Sequence, residues 1–290
     1  MKNNAMTLQE RMTSYEYPST MRRAFKGQPL VLRLNGRHFR LLTKDLEYPY
    51  DERLSRLMLD TTKAMVEFFH AKVGYTQSDE MTLVWNIACD DSASFPFEGR
   101  LQKIESLCAA YATAFFNKKL ATYIPEKAEL LLIFDARAFV PNLMEAYNVV
   151  LSRQNYAMKH AARSAMYMMG ASLGNEPVVI KQKSSWTNET LAAKMGGIFN
   201  DYAPSFKRGT FVRRMKREEH PGERQRQVHV QGTQSFTKQA SPWSIEATDI
   251  WLSRQVQPLD ALFFDSDPLP VADFLQTDDV FQMAAGNVAR

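Results

Sequence analysis

Apolar positions change period from segment to segment along this chain, and those changes mark out its elements. Pro29-Leu-Val-Leu-Arg-Leu34 is a short apolar run between Gly27 and Gly36, which suits a buried strand. From residue 51 the period lengthens to that of a helix. Leu54, Leu57, Met58, Met65, Phe68 and Phe69 fall mostly on one face, with Asp51 at the N-cap position, Glu52 in the first turn and Gly74 as the stop. Residues 72–76 and 81–87 predict two strands joined by the polar turn Gln77-Ser78-Asp79-Glu80. Residues 99–120 predict a second helix, with Leu101, Ile104, Leu107, Cys108, Tyr111 and Phe115 on its apolar stripe, and residues 129–139 a fourth strand. The order β-α-β-β-α-β is the split βαβ, or ferredoxin-like, arrangement, so the fold class expected is α+β.

Beyond that unit, residues 142–169 predict a long helix rich in Ala and Met, and residues 181–200 a further helix starting near Thr187. Residues 206–215 (FKRGTFVRRM) predict a strand with an exposed basic face, and residues 216–231 are dense in charge. The last stretch, 264–290, carries Asp265, Asp267, Asp273, Asp278 and Asp279 with Pro268 and Pro270, and is expected to be loosely attached. The division expected is a core over 1–140, a helical and basic extension of the same domain over 141–230, and a C-terminal segment over 231–290.

Composition adds little to the pattern but removes several classes. Thirty-six Lys and Arg against 32 Asp and Glu leave a net charge of +4 on 290 residues, which permits an anionic partner without demanding one. No apolar run reaches the roughly 20 residues that cross a bilayer, so no membrane partner is expected. The N-terminal sequence lacks the apolar core of a secretory signal. Two cysteines, Cys89 and Cys108, cannot build a four-thiolate zinc site and are read as plain buried thiols. The expectation is a reduced, cytoplasmic protein.

Candidate chemistry follows from topology. A right-handed helical crossover makes the first two strands parallel, so their C-terminal ends share one edge of the sheet, the default ligand edge of α/β sheets. One end carries Asn35-Gly36-Arg37 and the other Ser78-Asp79-Glu80, with His38 and Lys44 near the first. Carboxylate and carbonyl oxygens suit Mg²⁺, and backbone N–H groups beside Arg or Lys suit a triphosphate. The same residues also suit a plain hydrophilic hairpin turn, since Asp and Ser favour turns. The five histidines show no paired metal spacing.

Five motifs in order strengthen the first reading. Arg33-Leu-Asn-Gly-Arg37-His-Phe39 resembles R-[LI]-D-G-R-x-F of the tRNA-His guanylyltransferase and Thg1-like 3′→5′ polymerase family. Gly74-Tyr-Thr-Gln-Ser-Asp-Glu80 is similar to its G-Y-x-Q-S-D-E, Phe134-Asp-Ala-Arg137 to its F-D-[GA]-R, Arg153-Gln154 to its R-Q and Lys207-Arg-Gly-Thr210 to its later [YF]-[KR]-[KR]-G-[TS]. The resemblance spans roughly residues 8–215. It implies a polymerase-like palm and 3′→5′ addition of a nucleotide to an RNA 5′ end with two Mg²⁺ ions.

Carried over, the resemblance makes Asp79 the metal-binding carboxylate, Gly36 a carbonyl ligand and Glu80 a supporting acid. Ser78 and Lys44 would contact the nucleotide, and the backbone from Gly36 through Arg37 and His38 to Phe39 would cradle the triphosphate. It further implies a tRNA or tRNA-like partner, GTP or ATP as nucleotide, and assembly as a dimer or tetramer. Arg153, Lys159, Arg208, Arg213 and Arg214 are the expected RNA contacts.

Two departures shape the expectation. The family's first metal-binding Asp is Asn35 here, which keeps an amide oxygen but removes a full charge beside a divalent ion. In the helix after Arg153-Gln154, Tyr156 and Met158 stand where the eukaryotic form has Asp and His, and Lys159 is reminiscent of the repair branch. The leading expectation is tRNA 5′-end repair or tRNA-His guanylylation, and the alternative a catalytically silent RNA- or nucleotide-binding relative. A nucleotide cyclase shares the βαββαβ layout, but the second and third motifs argue against it. His160 is read as a packed or RNA-facing residue, and Asp135 as forming a local pair with Arg137.

Overall fold

Strand β1 (Leu30–Arg37) owes its apolar run, interrupted at Arg33, to being covered on both faces. Leu30, Leu32 and Leu34 are fully buried on one side with Leu57, Met65, Ile104 and Phe116, whereas Val31 is buried on the other with Ala146, Tyr147 and Val150. The computed structural model describes residues 6–85, 95–172, 201–216, 226–228, 236–238 and 243–248. The helix expected near Thr187, Cys89 and the acidic stretch 264–290 lie outside those residues.

The predicted β-α-β-β-α-β order is present, with two helices that the pattern did not predict, one before β1 and one after it. After a capped helix α1 (Leu8–Thr20), β1 leads through the short α2 (Phe39–Thr43) to α3 (Glu52–Phe69). Asp51 is the N-cap, its side chain accepting from the Arg53 backbone N–H at 2.9 Å. The stop is His70 in the left-handed region (φ 55°), not Gly74. Gly74 instead sits inside β2 (Val73–Gln77), where an added Cβ would lie 2.6 Å from Val66 Cγ2 and 2.8 Å from Thr62 Cγ2. The glycine therefore lets α3 pack tightly onto the sheet. Strand β3 (Glu80–Trp85) returns after the two-residue turn Ser78-Asp79, with Ser78 at φ 53°.

Helix α4 (Leu101–Tyr123) lies beside α3, and β4 (Ile133–Phe139) begins later than the apolar run from 129 suggested. The reason is local: Asn117 clamps Leu132 outside the ladder, accepting its N–H at 3.0 Å and donating to its carbonyl at 2.7 Å. Helix α5 (Leu143–Ser172) covers the opposite face of the sheet through Ala146, Tyr147, Val150 and Leu151.

The sheet has six strands, β4-β1-β3-β2 followed by two more, all neighbours antiparallel. The first four places are the split βαβ arrangement, and β1 and β2 are parallel with β3 between them. Strands β5 (Thr210–Lys216) and β8 (Trp243–Thr248) extend it, and β6 (Arg226–Val228) pairs with β7 (Phe236–Lys238) separately. A short helix, Pro204–Arg208, stands where the basic strand was expected to begin.

The exposed basic face expected for residues 206–215 is not what β5 presents. Arg213 is buried at 4% exposure, because β5 is an interior strand with Arg213 opposite Val73 on one side and Glu246 on the other. Cys108 is a buried free thiol whose pKa burial pushes up to about 12. No described helix is long and apolar enough to cross a membrane.

Candidate functional site

The two strand ends meet. The Gly36 N–H donates to the Asp79 carbonyl at 2.8 Å, joining the end of β1 to the β2–β3 turn. In the ladders Asn35 lies opposite Glu80 on one side and Asp135 on the other. The edge so formed opens into a cavity of about 300 Å³. Strand β1 supplies Arg33 and Asn35, the hairpin supplies Gln77 to Glu80, and α5 supplies Arg153, Tyr156 and His160.

Its charges are largely paired among themselves. Glu80 is bound by Arg153 through Nε at 2.5 Å and Nη2 at 2.8 Å, a bidentate fork. Arg33 Nε lies 3.2 Å from Glu80 Oε2 without hydrogen-bond alignment. Asn35 Oδ1 accepts from Arg33 Nη2 at 3.3 Å, while Asn35 Nδ2 donates to Asp135 Oδ1 at 3.5 Å. Asp135 pairs with Arg37 Nε at 2.5 Å and is 3.9 Å from Arg137. Its main partner is therefore on the neighbouring strand, not two residues along its own as expected.

Asp79 is half-buried, and desolvation raises its pKa, opposed by its hydrogen bonds and by the charge of His160. Gly36 is required by a close approach, since a Cβ there would lie 2.1 Å from Phe39 Cε2. The Phe39 ring is core, packed against Phe116 and Phe134, so only its backbone can face a ligand. His38 is exposed and left-handed (φ 65°), turning the chain from β1 into α2.

Of the other predicted residues, Arg37 is exposed against Asp135, and Lys44 is exposed at the end of α2. Neither lines the cavity, nor do Lys159, Arg208, Arg213 and Arg214. Arg208 offers its carbonyl to Tyr75 Oη at 2.9 Å, and Arg214 Nη1 reaches the His70 carbonyl at 3.5 Å. The residues sequence reasoning did not place in the site are Arg33, Gln77, Tyr156 and His160. Positions 153, 156 and 160 share one helical face, and that spacing was the available signal.

Among the described residues no group of three or more His, Cys, Asp or Glu is arranged to hold a metal ion. Glu80 is neutralised by two guanidinium groups, which leaves Asp79 as the cavity carboxylate outside that network. Asp79 and the Asn35 amide carry oxygen donors of the type Mg²⁺ takes, but Gly36 does not line the cavity and Asn35 Oδ1 already accepts from Arg33. They do not fit the pair of ions that the motifs implied.

Antiparallel strands in this order, with a carboxylate and an amide meeting at one edge beneath a long helix, define an α+β domain of the polymerase-palm type. Residues 9–142 match the family tRNAHis guanylyltransferase (Thg1). An uncharacterised protein of Acanthamoeba polyphaga mimivirus is 36% identical over 134 residues, 39% of this chain and 46% of that protein. The chain thus spans about half the length of this curated relative. A bacterial tRNA(His) guanylyltransferase (Thg1)-like protein solved with ATP is 25% identical, with a TM-score of 0.59 over 83% of this chain and 92% of that one. The tRNA(His) guanylyltransferase of Saccharomyces cerevisiae shares the fold, with a TM-score of 0.58 at 21% identity over 68% of this chain and 91% of its own.

Proposed function

We propose that this chain is a nucleotidyltransferase that adds a nucleotide to the 5′ end of a tRNA or tRNA-like RNA in the 3′→5′ direction. The observation that carries the reading is the bond from Gly36 to Asp79, which brings the family's two loop motifs to one cavity. Solved relatives in complex with ATP and with GTP support a nucleoside triphosphate as partner.

In such a reaction the 3′-hydroxyl of the incoming nucleotide attacks the α-phosphorus of a 5′-triphosphate end. A P–O bond forms, pyrophosphate leaves and the hydroxyl proton is released. Asp79 is the cavity carboxylate outside the arginine network, so its role is to hold the metal, and the hydroxyl proton passes to solvent. The Arg33 and Arg153 guanidinium groups hold Glu80 and keep the floor of the cavity fixed. A Mg²⁺ ion held by Asp79 would supply positive charge for the phosphates.

A second reading, a silent RNA- or nucleotide-binding relative, is favoured by Asn35, whose amide is engaged on both sides by Arg33 and Asp135. The deciding experiment incubates a 5′-truncated, triphosphorylated tRNA with labelled GTP and Mg²⁺. Extension by the chain, abolished in Asp79→Ala, supports the enzyme. Extension only after Asn35→Asp supports the silent relative, and no extension or nucleotide binding by either removes the enzymatic reading.

A further inference from the structure

Helix α5 turns three side chains toward the cavity, and they form a ladder. The Arg153 guanidinium carbon lies 4.5 Å from the Tyr156 ring centroid, and the Tyr156 and His160 rings stack with centroids 6.0 Å apart and planes 29° from parallel. These separations match the axial rise of three and four helical residues, about 4.5 and 6 Å, so the ladder climbs the helix axis with His160 at its outer end. Its foot is fixed, because Arg153 is locked in its fork to Glu80.

The other face of the helix is committed to the core through Ala157, Met158 and Ala161. Tyr156 is nevertheless 50% exposed and His160 exposed, an aromatic pair presented at a polar cavity. Gln77 and Ser78 stand on the same cavity wall with hydrogen-bonding groups suited to the edge of a base. We propose that Tyr156 and His160 form a stacking platform for one nucleobase, which lies on the outer face of His160 with its edge toward Gln77 and Ser78. The proposal rests on the nucleotide-transfer reading and assigns the same cavity its base subsite. Planar bases stack on aromatic side chains with little sequence preference, and a cation beneath the ring strengthens the stack.

Two sources can supply the base, the nucleoside triphosphate or the terminal nucleotide of the RNA. The test titrates the full chain with 2-aminopurine riboside triphosphate in one arm and, in the other, with a short single-stranded RNA carrying 2-aminopurine at its 5′ end. Affinity and fluorescence quenching are both read. Tyr156→Leu, which keeps apolar bulk, and His160→Ala are each expected to weaken binding about tenfold and relieve the quenching, whereas Tyr156→Phe stays within about twofold of wild type. The arm that loses affinity identifies the source. Binding by wild type that both variants leave unchanged overturns the platform and spares the nucleotide-transfer reading. Failure of wild type to bind either probe overturns both.

Discussion

The Gly36 amide and the Asp79 carbonyl are joined at 2.8 Å, and the spacing of the two loop motifs depends on that contact. Position 36 has no room for a side chain, because the Phe39 ring fills the space one would need. Phe39 is itself wedged at 5.3 Å from Phe116 and 5.4 Å from Phe134. Gly36→Ala is therefore expected to lower stability by about 1–3 kcal/mol and to weaken nucleotide binding. Thermal denaturation checks it, and a midpoint equal to that of wild type would mean that the ring gives way freely.

Asn35→Asp places a second carboxylate near Asp79 and directly beside Asp135, with Arg33 bonded to it and Arg37 on the other oxygen of Asp135. Divalent affinity should rise by about tenfold, measured by Mn²⁺ titration. Without metal the variant should lose on the order of 1 kcal/mol through repulsion with Asp135, and recover it on adding Mg²⁺. Unchanged Mn²⁺ affinity would remove Asn35 from the ligand set.

Arg153→Ala strips the fork from a carboxylate whose side chain is 10% exposed. The uncompensated charge should cost about 3 kcal/mol, at the lower end for buried pairs because Arg33 remains nearby. Adding Glu80→Gln to the same chain should restore much of the loss, so urea denaturation of the four members of the cycle should show strong non-additivity.

Asp51 provides a pH signature far from the cavity. Hydrogen bonds from Arg53 hold its carboxyl below the ordinary value of 3.8 in the folded chain. A depressed folded pKa means stability that is present above the unfolded value and lost as pH falls through the folded one. Asp51→Asn is thus expected to cost about 1 kcal/mol at neutral pH, with the gap to wild type closing below about pH 4. Denaturant midpoints at pH 7, 5 and 3 measure it.

The β-α-β-β-α-β order was legible because local signals agreed with the tertiary ones: a capped amphipathic period at 51–69, and largely apolar runs where a strand is covered twice. The meeting of the loop tips followed from topology alone. What stayed hidden depended on neighbours far along the chain. Arg213 reads as part of a basic face until β8 arrives to make its strand an interior one. His70, not Gly74, ends α3, since the glycine is needed for the approach of helix to sheet. Tyr156 and His160 look like exchangeable helix positions until α5 is laid across the edge of the sheet.

The carboxylate side of the site is carried by a two-residue turn between strands whose register is fixed on both flanks. The helix that roofs it is fastened to the same turn by one guanidinium fork. Side chains further along that helix can therefore be exchanged without disturbing the turn, and the floor keeps its geometry while the roof changes. A cavity built this way can have its roof altered one helical face at a time while its floor stays as it is.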